Sequence, residues 1–187
     1  MRKDRRTQFI SFGQKFTDIL IIFSTLILCF LLSLVRLPGM EIANITPNWL
    51  VIWLAIWSIN HSRLQGLVAA VCIALVLDSL TSFYPTHIVG LVLVAWLTYP
   101  TKKNIGEEPK SPHTIILLML KIFFLVLLVE GIMFIQYLSL SNSFPAQLWV
   151  NYQTIGLSSA LLSSLWTPFL YYPLNSWWSK LGQYQKN

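Results

Sequence analysis

The chain alternates between long apolar runs and short polar segments. Six apolar runs can be distinguished. They cover residues 17–35, 47–60, 65–81, 84–100, 114–140 and 152–174. A transmembrane helix needs about 20 predominantly apolar residues. The pattern therefore predicts an all-α membrane protein, a compact bundle of about six transmembrane helices in a single domain.

The second and fourth runs reach the length of a span only through their polar flanks. Asn48 and Ser58 extend the second run, and Ser82 extends the fourth. We therefore expect either that the bilayer thins beside these helices or that protein surrounds their ends. Their assignment as complete spans depends on that condition.

The composition agrees with lipid as the solvent. Apolar residues make up 55% of the chain and charged residues 11%, compared with about 25% charged residues in an average soluble domain. The net charge of +6 does not indicate nucleic acid, because the basic residues lie at the ends of apolar runs and do not alternate with exposed aromatic side chains. Anionic lipid at the cytoplasmic face is the partner that this charge predicts.

The positions of lysine and arginine predict the orientation. With six helices and a cytoplasmic N-terminus, eleven of the thirteen basic residues fall in cytoplasmic segments, Arg36 falls outside and Lys121 falls inside the fifth run. The cytoplasmic set comprises Arg2, Lys3, Arg5, Arg6, Lys15, Arg63, Lys102, Lys103, Lys110, Lys180 and Lys186. This bias predicts that both termini are cytoplasmic in a bacterial-type inner membrane. The hydrophilic segment 101–113 lies on the same side, as a solvated connection or as a docking site for a partner.

Two carboxylates lie where lipid would reject them. Asp78 is near the outer end of the third run, and Glu130 is inside the fifth. A carboxylate at bilayer depth is costly unless it is paired or protonated. Both are candidates for a functional site, and a protonated or hydrogen-bonded packing residue is the alternative for each. Lys121 lies about 13 Å from Glu130 along a helix, so the two cannot pair within it, and we expect Lys121 to extend to the cytoplasmic interface.

Catalytic and metal-binding motifs are lacking in the sequence. His61, His87 and His113 cannot converge on a metal, because the predicted topology places His87 outside and the other two inside. A hydrolytic triad of Asp78, His87 and a nearby serine is conceivable, but no nucleophile motif accompanies it. We therefore predict that the protein is not an enzyme and has no cofactor.

Other residues in the runs are expected to have structural roles. Cys29 and Cys72 lie inside apolar runs and should be small buried hydrophobic residues. Tryptophans near the ends of runs should sit at the headgroup region, where an amphipathic ring is favoured. These tryptophans are Trp49, Trp149, Trp177 and Trp178.

The last run carries a stripe of small residues. Gly156, Ala160 and Ser164 recur at every fourth position, which lets another helix approach closely. The stripe predicts either packing within the bundle or docking of another membrane protein. Pro168 and Pro173 are expected to kink or end this helix.

The second and third runs together carry a resemblance to a known family. Pro47-Asn48 precedes an apolar run, a short turn contains Arg63 and Gly66, and the next run ends in Leu77-Asp78. In this order and spacing the chain resembles the MreD family of rod shape-determining proteins. It departs from the family pattern after Asp78, where the first glycine is Gly90, and at Ala74, which stands roughly where the family often has glycine.

The resemblance implies a non-enzymatic scaffold of the cell-wall elongation machinery. It implies binding to an MreC-like bitopic shape protein, and a link between the cytoplasmic MreB filament and a RodA-type polymerase with its penicillin-binding transpeptidase. Pro47, Asn48, Arg63, Gly66 and Asp78 would be the family's structural or partner-coupling positions.

A rival interpretation is transport. Interior carboxylates in a compact six-helix protein also suit a small-molecule-binding component of an energy-coupling-factor transporter. A convergent pocket would favour transport, and an exposed groove with small or aromatic residues would favour a scaffold.

Overall fold

A computed structural model describes residues 3–35, 45–81, 86–99, 112–140 and 146–184. These residues form six α-helices, each overlapping one apolar run, so the predicted all-α fold is confirmed. The helices are α1 (Lys3–Leu34), α2 (Trp49–Asn60), α3 (Arg63–Leu80), α4 (Ile88–Thr98), α5 (Pro112–Leu140) and α6 (Ala146–Tyr184).

The first and last helices are longer than the runs that predicted them. α1 begins at Lys3, within the basic N-terminal segment. The sequence predicts that Pro168 and Pro173 kink or end the last helix. The prediction that they end it is wrong, because α6 continues through both prolines to Tyr184. Proline removes a single N–H donor, and helices that are packed among others tolerate that loss.

α2 lies in the middle of the bundle. Every residue from Trp49 to Ile59 is buried, and α2 contacts all five other helices. Its 12 residues measure about 18 Å along the axis, against about 30 Å for the hydrocarbon core of a bilayer. A short helix that is apolar on all sides is stable here because protein, rather than lipid, covers it.

The outer helices present apolar surface instead. Two segments, Arg63–Leu80 and His113–Ser139, are long and apolar enough to cross a membrane. The apolar parts of α1, α2 and α4 are shorter, namely Ile19–Leu34, Trp49–Asn60 and Ile88–Thr98. Large hydrophobic side chains are exposed on α1, α3, α5 and α6, which is the surface that lipid favours.

Consecutive helices run in opposite directions. α1, α3 and α5 end at one end of the bundle, and α2, α4 and α6 begin there. One cavity at this end is lined by residues from all six helices or from the residues that cap them. We call this end of the bundle the Asp78 end. At the opposite end, named the Arg63 end, the Arg63 guanidinium at the start of α3 lies over the ring of Tyr99, which follows α4.

α1 stands apart from most of the bundle. Among the described helices its backbone comes close only to α2, where Trp53 Nε1 donates a hydrogen bond to Thr25 Oγ1 (3.2 Å). An apolar groove of about 460 Å³ therefore remains between α1 and α3. Cys72 lines this groove.

Two predictions of burial need correction, and both follow from this arrangement. Cys29 is buried as expected, whereas Cys72 is exposed, because α1 does not cover that side of α3. Trp49 is buried rather than interfacial, because it belongs to α2 and packs against Trp166 of α6 at 5.6 Å between ring centroids. Trp149 is exposed, as an interfacial ring requires.

The turn from α2 to α3 depends on a close approach. Ser62 caps α3 through a reciprocal capping box with Gln65. A Cβ atom at Gly66 would lie 2.9 Å from Ser58 Oγ of α2, which is closer than real contacts allow. Glycine at this position therefore lets the two helices pack against each other.

We expect Gly66→Ala to lower the free energy of unfolding by about 1–3 kcal/mol, because the added methyl group overpacks the contact with Ser58. Thermal unfolding of the purified protein in detergent measures the loss. Gly131→Ala is the matched control: apart from its own stretch of helix backbone and its chain neighbours, nothing lies within 4 Å of the position that its added methyl group would take, so that variant should be at least as stable as the wild type. Adding Ser58→Ala to Gly66→Ala should recover part of the loss. Equal unfolding temperatures for the two alanine variants would contradict this account.

Candidate functional site

The Pro47-Asn48 pair sets the start of α2. Pro47 is buried, and the Asn48 side chain accepts a hydrogen bond from Val51 N (3.3 Å), which caps the helix. The Asn48 backbone N–H donates to Ser163 Oγ of α6 (2.8 Å). The pair therefore joins the first turn of the central helix to the last helix.

Asp78 joins α3 to α4. Its Oδ1 accepts a hydrogen bond from the His87 backbone N–H (2.9 Å), and His87 Nδ1 lies 2.6 Å from the same oxygen. Both side chains are largely buried, with 17% and 18% exposed. Asp78 thus holds the residue that begins α4. Tyr84, which is close to Asp78 in the sequence, lies outside the described residues.

A residue of α5 also forms a hydrogen bond with the segment that leads into α4. Gln136 Oε1 on α5 accepts a hydrogen bond from the Thr86 backbone N–H (2.7 Å). Together with Asp78 it anchors residues 86 and 87 from both sides. Sequence reasoning missed Gln136, although an amide in the fifth apolar run was a signal that it has a polar partner.

Glu130 lies at a cavity of about 520 Å³ at the Asp78 end, to which all six helices or their caps contribute. Asn48, His87 and Ser159 line the same cavity. Asp78 does not line the cavity itself, but it contacts His87, which does. Four sequence candidates, Pro47, Asn48, Asp78 and Glu130, are thereby brought to one place.

Glu130 also lies at the contact between α5 and α6. A Cβ at Gly156 would be 3.6 Å from Glu130 Cβ, and both residues line a smaller cavity of about 290 Å³ between these helices. No described residue donates a hydrogen bond to the Glu130 carboxylate. Unlike Asp78, Glu130 therefore keeps both carboxylate oxygens available to accept hydrogen bonds from a further group.

Arg63 and Gly66, the other two residues that carry the resemblance, lie at the opposite end. The Arg63 guanidinium is 4.7 Å from the centre of the Tyr99 ring, a cation–π contact. Gly66 serves the helix contact with Ser58. Arg63 and Gly66 are therefore separated from the Asp78 cavity by the length of α3.

The small residues of α6 face the bundle. Gly156 and Ala160 are buried, while Ser164 is only partly buried and bonds back to its own helix at Leu161 O (2.8 Å). The buried polar residues of this face are Ser159, Ser163 and Thr167. The face is thus rotated slightly from the predicted stripe, and its packing lies within the bundle.

The described histidines occupy opposite ends. His61 stacks on Trp57 at 3.4 Å between ring centroids, beside the start of α3. His87 belongs to the Asp78 end, and His113 is in the first turn of α5, at the Arg63 end. Within the described segments no group of three or more His, Cys, Asp or Glu residues is placed to hold a metal ion.

Comparison with known proteins identifies the family. No curated protein and no solved structure matches the chain significantly. The family model for the rod shape-determining protein MreD matches residues 14–174, which include α2 to α5 entirely and most of α1 and α6. Members of that family are membrane proteins with a structural role in rod shape, and they are not known as enzymes. The chain therefore belongs to the rod shape-determining protein MreD family.

Proposed function

We propose that the protein is a multi-pass inner-membrane scaffold that links an MreC-like bitopic protein, a RodA-type polymerase and its penicillin-binding transpeptidase to the cytoplasmic MreB filament. The observation that carries this proposal is the cluster of Asn48, Asp78, His87 and Glu130 at one end of the bundle. Family membership supplies the role in rod shape. The cluster supplies a polar surface, next to the bilayer, for an extracytoplasmic partner segment.

The orientation follows from charge and helix direction together. Because consecutive helices alternate, α1 begins and α6 ends on the side of the Arg63 end. The topology predicted from the sequence assigns eleven of the thirteen basic residues to segments on this same side. The positive-inside rule places such a side in the cytoplasm, which puts the Asp78 end outside.

A pair of topology reporters should place Asn187 and Gly106 in the cytoplasm, since the basic residues are concentrated there. A reporter inserted at Asn142, between α5 and α6, is the matched control and should be active only outside. An outside signal from Asn187 or Gly106 would require one span to be added or removed.

In this scaffold Asp78 has a positioning role. The two hydrogen bonds that its Oδ1 accepts fix the start of α4 relative to the end of α3. An extracytoplasmic partner would contact this end of the two helices. Coupling would then depend on hydrogen-bond acceptance by residue 78 rather than on its charge.

We expect Asp78→Asn to preserve rod shape and Asp78→Ala to produce rounded cells. Asparagine keeps an acceptor oxygen, whereas alanine leaves two donors of His87 unpaired at a cost of about 1–3 kcal/mol each. Cell shape is scored in a strain that depends on the variant, and membrane levels are measured in parallel. Ser79→Ala is the control, because among the described residues the Ser79 hydroxyl bonds only to Val76 O of its own helix.

The outcome of this comparison discriminates between three roles. Rounding by both Asp78 variants at normal membrane levels would mean that the charge itself is required. Normal rods with both variants would reduce Asp78 to a packing residue and would remove it from the coupling surface.

A second candidate function is a ligand-binding component of an energy-coupling-factor-type transporter. The cavity of about 520 Å³ at the Asp78 end is the observation that favours it. Depletion of the protein discriminates the two functions. A scaffold predicts rounded cells with unchanged solute uptake, and a transporter component predicts an uptake defect in cells of normal shape.

A further inference from the structure

The cavity at the Asp78 end has more polar atoms facing it than the described residues satisfy. Asn48 uses its side-chain oxygen to cap α2, and no described residue contacts its amide nitrogen by a hydrogen bond. His87 uses Nδ1 toward Asp78, which leaves Nε2. Glu130 has no donor among the described residues. All three residues line the cavity.

Ser159 is an independent sign that this cavity is built for a polar group. Its side chain is only 4% exposed, yet it lines the cavity and its hydroxyl makes no hydrogen bond to any described residue. Buried hydroxyl groups in proteins are normally paired. The other hydroxyls on this face of α6 follow that rule, because Ser163 accepts from Asn48 N and Thr167 donates to Ser163 O.

The charges around the cavity select the kind of group. Glu130 lines the cavity with one carboxylate, Asp78 supplies a second one behind His87, and His87 contributes at most one positive charge. The other described residues from all six helices and their caps that line the cavity are uncharged. In the neutral form of His87, donation of Nδ1–H to Asp78 makes Nε2 an acceptor. Apart from the Asn48 amide nitrogen, the free groups can therefore all accept hydrogen bonds, and with Glu130 ionised the net charge around them is negative.

We propose that this cavity binds an ammonium or guanidinium group supplied from outside the chain. Glu130 would pair with the cation, His87 Nε2 and the Ser159 hydroxyl would accept further N–H bonds, and Asp78 would hold the His87 ring. Such charge-assisted bonds are short and strong where water is partly excluded. The group can belong to a lysine or arginine side chain of a partner or to a free amine, and both share this chemistry.

The proposal goes beyond the scaffold function and can be tested separately from it. The purified full-length protein in detergent is titrated with butylammonium and with N-acetyl-lysine N-methylamide, and thermal unfolding is followed. Both cations should raise Tm by several degrees as they saturate the site. N-acetyl-norleucine N-methylamide, which keeps the four-carbon side chain and lacks the ammonium group, should leave Tm unchanged.

Variants assign the effect to the cavity. Glu130→Gln keeps the shape of the side chain and should weaken Kd for either cation by roughly 10- to 100-fold. Ser159→Ala should weaken Kd by less. Glu107→Gln makes the same change of charge in the hydrophilic segment 101–113 and should leave Kd unchanged.

The two cations also distinguish the source of the group. Tighter binding of the lysine derivative indicates a partner side chain, and equal binding indicates that a free amine suffices; either result supports the site. A Tm shift with the norleucine derivative, or cation binding that Glu130→Gln leaves unchanged, would overturn it. Normal rods in cells carrying Glu130→Gln would instead count against a role of the site in scaffolding.

The chain's own Arg36 could compete with an added cation for the cavity, so the experiment includes a variant that removes its charge. It follows α1 in the sequence, two residues after Leu34 of the cavity lining. Cation titrations are therefore repeated with Arg36→Gln. Binding in the wild type supports an external ligand. Binding only in Arg36→Gln would mean that Arg36 occupies the cavity, and absence of binding in both proteins would remove the site altogether.

Discussion

The burial of α2 is the constraint on which the rest of the structure depends. A helix of 12 residues that is apolar on all sides cannot cross a bilayer alone, and it becomes stable because the five other helices contact it. Because lipid is as apolar as these side chains, their burial against protein is stabilised mainly by the dispersion contacts of a close-packed interior. The central helix therefore determines where its neighbours lie.

The two ends of α2 are held in different ways. At the Asp78 end, Asn48 caps the helix and bonds to Ser163 of α6. At the Arg63 end, Gly66 lets α3 approach Ser58. Asn48 and Gly66, two of the residues that carry the sequence resemblance, thus both serve the placement of the central helix.

The polar groups at the Asp78 end can persist beside lipid because most are paired across helices. Asp78 with His87 and Gln136 with Thr86 satisfy backbone donors where α4 begins. Unpaired polar groups cost more in a low-dielectric interior than in water. Among the described residues at this end, Glu130 and Ser159 make no side-chain hydrogen bond, and the cavity that they share is therefore the one for which a cationic ligand is proposed.

The sequence by itself determined the helices and the interior acids, since long apolar runs allow only helices beside lipid and isolated carboxylates stand out within them. It also allowed the placement of His61 and His87 at opposite ends. Only the tertiary structure decided that Trp49 is buried, that Cys72 is exposed, and that Ser163 and Gln136 supply partners from distant helices. Periodicity along one chain defines the faces of each helix, whereas the neighbour of each face depends on how six helices close around α2.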